Sequence, residues 1–223
     1  MIFNVNAFEF VKTEEFKNIV ANKQLCIVTD PPFNIGYHYD GYKDRMNEEE
    51  YYRNLCDLIT ACNCPFVIVH YPEQLYRLSA TIGKYPTKVI SWVYNSNTAK
   101  QHRDIAYFGV KPNMNQVKQP YKNPTDKRIR ERIARGIEGG RLYDWWNINQ
   151  VKNVSKKDIN HPCVMPLEVM KNAVGILPRE YTILDPFMGS GTTGIACKEY
   201  EMDFIGMELV KEYFELAKNR LQK

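Results

Sequence analysis

The stretch LCIVTDPPFN at residues 25–34 decides how this chain folds. Its first part, residues 25–28, is a short apolar run of the kind that forms a strand buried on both faces in a parallel sheet. Two consecutive prolines then break the strand into a loop. The stretch YTILDPFMGSGTT at residues 181–193 repeats this arrangement near the other end of the chain. Ligands of α/β sheets bind at the loops that follow the strands, so both loops are candidate site segments.

The rest of the chain alternates between strand-like and helix-like patterns, which predicts an α/β fold with a mostly parallel sheet. The predicted strands are residues 25–28, 66–69, 89–94, 181–184 and 204–207, and the predicted helices are 48–61 (capped by Asn47), 73–82, one from 166, 192–200 and one from 210. From about Lys111 the pattern dissolves into Pro, Asn and basic residues. We therefore interpret residues 1–110 and 161–223 as one domain and residues 111–160 as an insertion, because a long irregular stretch in a compact domain is usually functional.

Composition narrows the class of protein. The 223 residues, 44% hydrophobic and 25% charged, are typical of a soluble globular chain. The net charge of +4 is small, but residues 111–157 contain twelve Lys or Arg against four acids. Such a block is the footprint expected for phosphate backbones, and a solvated loop is the competing interpretation. The candidate contacts to nucleic acid are Lys127, Arg128, Arg130, Arg132, Arg135 and Arg141.

Targeting signals and metal motifs are not apparent in the sequence. No apolar run reaches the length of a membrane span, and the first residues do not resemble a signal peptide. The six cysteines are scattered without a zinc-binding pattern. These features predict a cytoplasmic protein with reduced thiols and no metal.

The first loop offers hydrogen-bond acceptors. Asp30 contributes a carboxylate, and Pro31 and Pro32 contribute carbonyls without N–H donors. A stiff loop of acceptors suits an incoming –NH₂ group, and Phe33 adds a flat face on which a base could stack. The competing interpretation is a structural Asp-Pro turn at a strand end.

The second loop has the chemistry of a nucleoside-binding turn. Gly189 and Gly191 allow a tight turn and close approach of a ligand to the backbone. Glu208 ends the next strand, 208 − 185 = 23 positions after Asp185, which suits a grip on ribose hydroxyls. An ordinary strand–helix turn is the alternative. A phosphate-binding P-loop is excluded because Thr192 stands where its lysine would be.

Together, DPPF at 30–33 and DPFMGSGTT at 185–193 resemble the amino-group DNA methyltransferases. The order of the motifs, with the DPPF loop first, is similar to the β group of that family. The resemblance implies a Rossmann-like, seven-stranded, mostly parallel sheet with one reversed strand and helices on both faces. It also implies S-adenosyl-L-methionine as cofactor, double-stranded DNA as partner, and residues 111–160 as the target-recognition region.

The same resemblance assigns site residues. Catalysis falls to Asp30, Pro31, Pro32 and Phe33, with Phe33, Asn34, Tyr37 and Tyr39 beside a flipped base. The implied cofactor residues are Asn6, Ala7, Asp30, His161, Pro162, Asp185, Phe187, Gly189, Ser190, Gly191, Thr192, Thr193 and Glu208. Asn6 departs from the acidic residue that the family usually has there. His102, Arg103 and Asp104 are expected after a strand, at the surface.

Several readings remain open. An aspartate in the first motif position favours the N6 amine of adenine, and the N4 amine of cytosine is the alternative. A non-catalytic regulator that binds S-adenosylmethionine and DNA is the non-enzyme alternative. Protein-glutamine or RNA methylation is disfavoured because those relatives place the cofactor loop first. A homodimer and a companion restriction endonuclease are partners that the resemblance leaves open.

Overall fold

The computed structural model describes residues 1–36, 38–39, 42–151 and 164–222. In chain order its elements are β1 (Ile2–Asn4), α1 (Ala7–Phe10), α2 (Glu14–Val20), β2 (Leu25–Thr29), β3 (His38–Tyr39), β4 (Tyr42–Lys43), α3 (Glu48–Cys62), β5 (Phe66–His70), α4 (Pro72–Ile82), β6 (Lys88–Val93), β7 (His102–Phe108), β8 (Lys118–Gln119), α5 (Lys127–Ala134), β9 (Gly140–Arg141), β10 (Trp145–Asn147), α6 (Leu167–Gly175), β11 (Thr182–Asp185), α7 (Thr192–Glu199), β12 (Phe204–Glu208) and α8 (Lys211–Gln222).

The central sheet confirms the predicted α/β fold and corrects its strand number. In the described part of the chain it has eight strands, in the order β1-β12-β11-β2-β5-β7-β6-β10. Only β7 is antiparallel to its neighbours among these strands. The expected number of seven is wrong because Trp145–Asn147, within the region that the sequence left irregular, pairs in parallel with β6.

Helices cover both faces of the sheet because its central strands are buried on both sides. Along β5, Val67 and Val69 join a core with α6 and α7, whereas Phe66 and Ile68 join a second core with α1, α3 and α4. This alternation follows the two-residue period of a strand. The apolar run therefore needs a helical layer on each face.

Helix α3 illustrates how local sequence sets an element. The predicted cap is confirmed, since the Asn47 side chain accepts hydrogen bonds from the backbone N–H groups of Glu49 and Glu50. The helix ends at Asn63, which adopts the left-handed conformation with φ of 43°. Its buried face includes Tyr51 and Leu55, which turn toward the sheet.

The sheet order brings several strand ends to one edge. β2 lies between β11 and β5, so the carboxyl ends of these parallel strands are neighbours. Because β7 runs the other way, its first residues lie at this same edge, with Asp104 opposite His70 and Arg103 opposite Trp92. The expectation that Arg103 lies at the surface after a strand is wrong, because it lies within β7 and is only 7% exposed.

Candidate active site

A cavity of about 290 Å³ opens at this edge of the sheet, between the two motif loops. The predicted residues that line it are Asn6, Ala7, Asp30, Pro31, Pro32, Phe33, Asp185, Phe187, Gly189, Ser190, Thr192, Thr193 and Glu208. The structure thus brings together most of the side chains that the two motifs supply. His161, Pro162 and Tyr37 lie outside the described residues, and only the backbone of Tyr39 is described.

Asp30 follows directly after β2 and points an acceptor into the buried site. Its Oδ1 atom is buried and accepts no hydrogen bond from any residue within the described ranges. Its Oδ2 atom lies 3.8 Å from Nη1 of Arg103. Burial raises the pKa of Asp30 to about 7, although the nearby charge of Arg103 lowers it, and the charge of Asp185 raises it further. The site therefore holds a carboxylate with an oxygen placed to accept a donor.

Arg103 is the site residue that the sequence interpretation missed. Its guanidinium carbon lies 4.6 Å from the ring centroid of Phe33, 5.4 Å from Trp92, 5.6 Å from Tyr71 and 6.0 Å from Tyr94. Attraction between a cation and aromatic faces within about 6 Å fixes the guanidinium in this position. A signal was present, because a strand places alternate residues on one face and the residues two and four positions on are Ile105 and Tyr107.

A chain of hydrogen bonds through Tyr51 and His70 restrains the backbone of the DPPF loop. The hydroxyl of Tyr51 donates to the carbonyl of Pro32 at 2.8 Å and lies 3.0 Å from Nε2 of His70. The Nδ1 atom of His70 accepts the backbone N–H of Tyr71 at 2.9 Å, so the proton of the neutral ring is on Nε2. Burial lowers the pKa of His70 to about 3, which keeps the ring neutral.

The structure gives Phe33 and Asn34 supporting contacts. The Phe33 ring is 7% exposed and stacks on His70 with centroids 4.4 Å apart. Asn34 adopts φ of 56°, and its amide exchanges two hydrogen bonds with the backbone of Met46, at 2.7 and 3.0 Å. The carboxylate of Asp44 accepts the N–H of Asn34 and of Ile35. Asn34 therefore closes the base of the loop, and its expected contact with DNA stays a prediction.

Carboxylates also hold the second loop in shape. The Oδ1 atom of Asp185 accepts the Thr29 hydroxyl at 2.7 Å and the Phe187 N–H at 3.1 Å. Glu208 accepts the N–H of Gly189 at 3.0 Å and that of Val210 at 2.8 Å. Burial raises the pKa of Asp185 to about 6 and also raises that of Glu208. Both acids thus brace the loop from inside while lining the cavity.

Gly191 and Asn6 have structural tasks in the same region. Gly191 has φ of 78°, and an added Cβ would lie 3.1 Å from the Cβ of Ala217 in α8. It is needed for the turn and for helix packing and is not part of the cavity lining. The Asn6 side chain caps α1 by accepting the N–H of Phe8 at 3.0 Å, and it lines the cavity as well.

The charge of the lining indicates what the cavity can hold. The cavity lining has four carboxyl groups, those of Asp30, Asp44, Asp185 and Glu208, against which Arg103 is the only basic side chain among the described lining residues. The rings of Phe8 and Phe187 lie beside it with centroids 5.5 Å apart. A ligand that carries positive charge and a flat apolar group fits this set of side chains.

The basic residues of the insertion lie away from this cavity lining. Lys127, Arg128, Arg130 and Arg132 belong to α5, Arg135 is its C-cap and Arg141 belongs to β9. All six side chains are exposed. The structure thus places a helix within the stretch that the sequence left irregular, and the contacts of these residues with DNA remain a prediction.

The described ranges contain neither a cluster of metal ligands nor a helix that could span a membrane. No group of three or more His, Cys, Asp or Glu side chains there could hold a metal ion. Within the same part of the chain, every helix is too short or too polar to cross a membrane.

Comparisons with known proteins agree with the site. The chain is 28% identical to the type II methyltransferase M.HpaI of Haemophilus parainfluenzae, over 92% of this chain and 70% of that protein. It is 25% identical to the DNA adenine methyltransferase YhdJ of Escherichia coli, over 93% and 79%. The M1.HpyAVI–SAM complex has the same fold, with a TM-score of 0.65, 24% identity, and coverage of 100% and 99%.

The sequence profile of the DNA methylase family matches residues 25–219, which include both motif loops and every strand from β2 to β12. The strand order, the two loops and this match agree, and the chain belongs to the N6/N4 DNA methylase family.

Proposed function

We propose that this protein transfers a methyl group from S-adenosylmethionine to the N6 amine of a flipped-out adenine in duplex DNA. Membership of the DNA methylase family supports the reaction class. The choice of adenine is supported by aspartate at position 30 and by the name of the relative YhdJ. The N4 amine of cytosine is the alternative, since the same acceptors would serve it.

One observation carries the proposal. The Oδ1 atom of Asp30 is buried beside the DPPF loop, and no donor in the described residues reaches it. A buried carboxylate oxygen without a donor is costly unless a ligand supplies one. An exocyclic amine supplies such a donor, so the acceptor has a purpose in a complex with the base.

The proposed mechanism uses the chain to orient the amine. A base inside a duplex cannot reach the cavity, so the target nucleotide flips out. Asp30 and the carbonyl of Pro31 accept the two amine hydrogens, because the carbonyl of Pro32 is bound by Tyr51. This draws the nitrogen lone pair out of ring conjugation and aligns it for attack. S-adenosylmethionine, when bound, would supply the methyl group for the new N–C bond and would keep the electrons of its S–C bond on sulfur. The nitrogen then releases a proton, which Asp30 is placed to accept.

The cofactor fits the charge of the cavity. When bound, S-adenosylmethionine supplies a methyl group on a positively charged sulfur, and its amino acid end carries an ammonium. Asp30, Asp185 and Glu208 are the acids that would balance such charge, and Phe8 with Phe187 would contact a flat base. The ordered loop between β11 and α7 lets these groups bind without large rearrangement.

The surroundings of Phe33 set a condition on base stacking. The ring is packed against His70 and beneath Arg103, so a flipped base must either share this stack or bind against its exposed edge.

Residues 111–160 are proposed to contact the duplex through the exposed arginines of α5 and its neighbours. The short length of this region favours a homodimer on DNA, and a companion nuclease is consistent with the type II relative.

The test is direct. Purified protein is incubated with isotopically labelled S-adenosylmethionine and unmethylated mixed-sequence duplex DNA, and the digested nucleosides are analysed by mass spectrometry. Label in N6-methyladenine supports the proposal. Label in N4-methylcytosine keeps the mechanism and changes the base. If neither is labelled although the cofactor binds, the proposed DNA activity is wrong.

A further inference from the structure

We propose that Arg103 is a positioning residue of the methyl-transfer reaction, which acts as the counter-ion that favours the ionised carboxylate of Asp30 and orients it. The inference rests on the proposed function, because it assigns to Arg103 a task at the same site. It begins from geometry, since Nη1 of Arg103 lies 3.8 Å from Oδ2 of Asp30, and both groups line one cavity.

Arg103 is held where it stands by the fold. It lies in the only reversed strand of the described sheet, and its guanidinium lies 4.6 Å from the ring centroid of Phe33 in the DPPF loop. Its side chain is 8% exposed. Four aromatic rings, those of Phe33, Tyr71, Trp92 and Tyr94, surround the guanidinium. Because these rings exclude water from the guanidinium, its charge is desolvated and acts strongly on Asp30.

The two oxygens of Asp30 have different surroundings, and this difference supports the role of Arg103. Oδ2 faces the arginine, whereas Oδ1 is the oxygen that no donor in the described residues reaches. The cation therefore orients the carboxylate without covering the acceptor that the amine needs. A separation of 3.8 Å is longer than a hydrogen bond, so the carboxylate keeps its capacity to accept from a substrate.

The other charged and titratable groups around Asp30 make a counter-ion necessary. Asp185 from the end of β11 opposes ionisation of Asp30, and Asp44 and Glu208 add two further acids to the cavity lining. His70 from β5 faces the same stack but is neutral, because burial lowers its pKa to about 3. Arg103 is thus the one positive group of the described lining that can keep Asp30 charged before ligands bind.

The experiment compares R103M, R103K and the unaltered protein. The pH titration of Asp30 is followed by ¹³C NMR of the carboxyl carbon in the free protein, with D30N to assign the signal. Removal of an opposite charge at this distance is expected to move the midpoint to higher pH by roughly one pH unit or more. R103K, which keeps the charge, is expected to remain closer to the unaltered protein. An unchanged midpoint in R103M overturns the inference.

Single-turnover methylation between pH 6 and 9.5 provides the second readout. R103M is expected to be slowed about fivefold or more at pH 7 and to recover most of its rate at pH 9.5, because alkaline pH ionises Asp30 without help. A loss by the same factor at every pH would indicate a purely structural role and overturn the inference. If the unaltered protein methylates no DNA, the proposed function is wrong, but the NMR titration still decides whether Arg103 controls Asp30.

Discussion

The hydroxyl of Tyr51 donates a 2.8 Å hydrogen bond to the carbonyl oxygen of Pro32. Tyr51 reaches this carbonyl from α3, and His70, at the end of β5, directs the hydroxyl by donating its Nε2 proton. Residues of α3 and β5 therefore restrain the backbone of the DPPF loop before any ligand binds. Such preorganisation is what an orienting site requires.

Replacing Tyr51 with phenylalanine is expected to slow methyl transfer about tenfold or more, because the loop loses the restraint on its geometry. The buried carbonyl of Pro32 would also lose its donor, which lowers the free energy of unfolding by about 1–3 kcal/mol. Single-turnover kinetics and urea unfolding measure the two effects. The matched control is Tyr52→Phe. This change removes another hydroxyl of α3, which donates a hydrogen bond to the side chain of Gln74 in α4. Equal kinetic losses in both variants would contradict the restraint.

Replacing Glu208 with glutamine is expected to weaken S-adenosylmethionine binding about tenfold or more. Both oxygens of Glu208 accept backbone N–H groups, and an amide can serve only one of them. Charged hydrogen bonds of this kind contribute about 1.5–3 kcal/mol each, which corresponds to such a factor in affinity. Calorimetric titration checks this, with Glu212→Gln, a change at an exposed side chain of α8, as control. Unchanged affinity would show that the loop keeps its shape without this brace.

The stability of the free protein is expected to fall as pH rises from about 4 to 7. Burial raises the pKa of Asp30 from 3.8 in an exposed carboxyl to about 7 in the folded state. The ionised form is therefore disfavoured by folding, so the penalty is absent below pH 4 and complete above pH 7. Asp30→Asn should raise the free energy of unfolding at pH 8 by about 1 kcal/mol or more, and not at pH 4. Urea unfolding measures this, and Asp57→Asn, on the exposed face of α3, should change neither value.

Replacing Arg128 and Arg130 with glutamine is expected to weaken DNA binding and to reduce its dependence on salt. Both side chains are exposed on α5, outside the cavity lining. If each neutralises one phosphate, the slope of log K against log salt falls by about 2 in magnitude. Fluorescence anisotropy at several salt concentrations measures the slope, with Lys17→Gln on α2 as control. An unchanged slope would place the duplex elsewhere on the protein.

The sequence predicted the parts of the site whose residues are close together in the chain. The two motif loops follow apolar strands, and the structure places both loops around one cavity. Local patterns also predicted helices over residues 48–61 and 73–82, and each boundary agrees with the structure within one residue. These elements are determined by short-range signals, namely apolar periodicity, caps and prolines.

Contacts between distant segments could not be predicted in the same way. Strand β7 begins with His102, Arg103 and Asp104, a charged start that is typical of a surface segment. Only the sheet order reveals that this end lies beside Asp30. Strand β10 was missed because three residues in a basic, irregular stretch carry no strand period, and their pairing with β6 is a tertiary effect.

The measurement that tests the account most directly is methyl transfer by Asp30→Ala, in parallel with its binding of S-adenosylmethionine. The account predicts a loss of transfer of about 1000-fold or more, because the amine loses its orienting acceptor. Cofactor binding is expected to weaken far less, because Asp185 and Glu208 still line the cavity. Intact cofactor binding shows that the variant is folded. Methylation of DNA at a rate within tenfold of the unaltered protein would contradict the role assigned to Asp30 and the mechanism that depends on it.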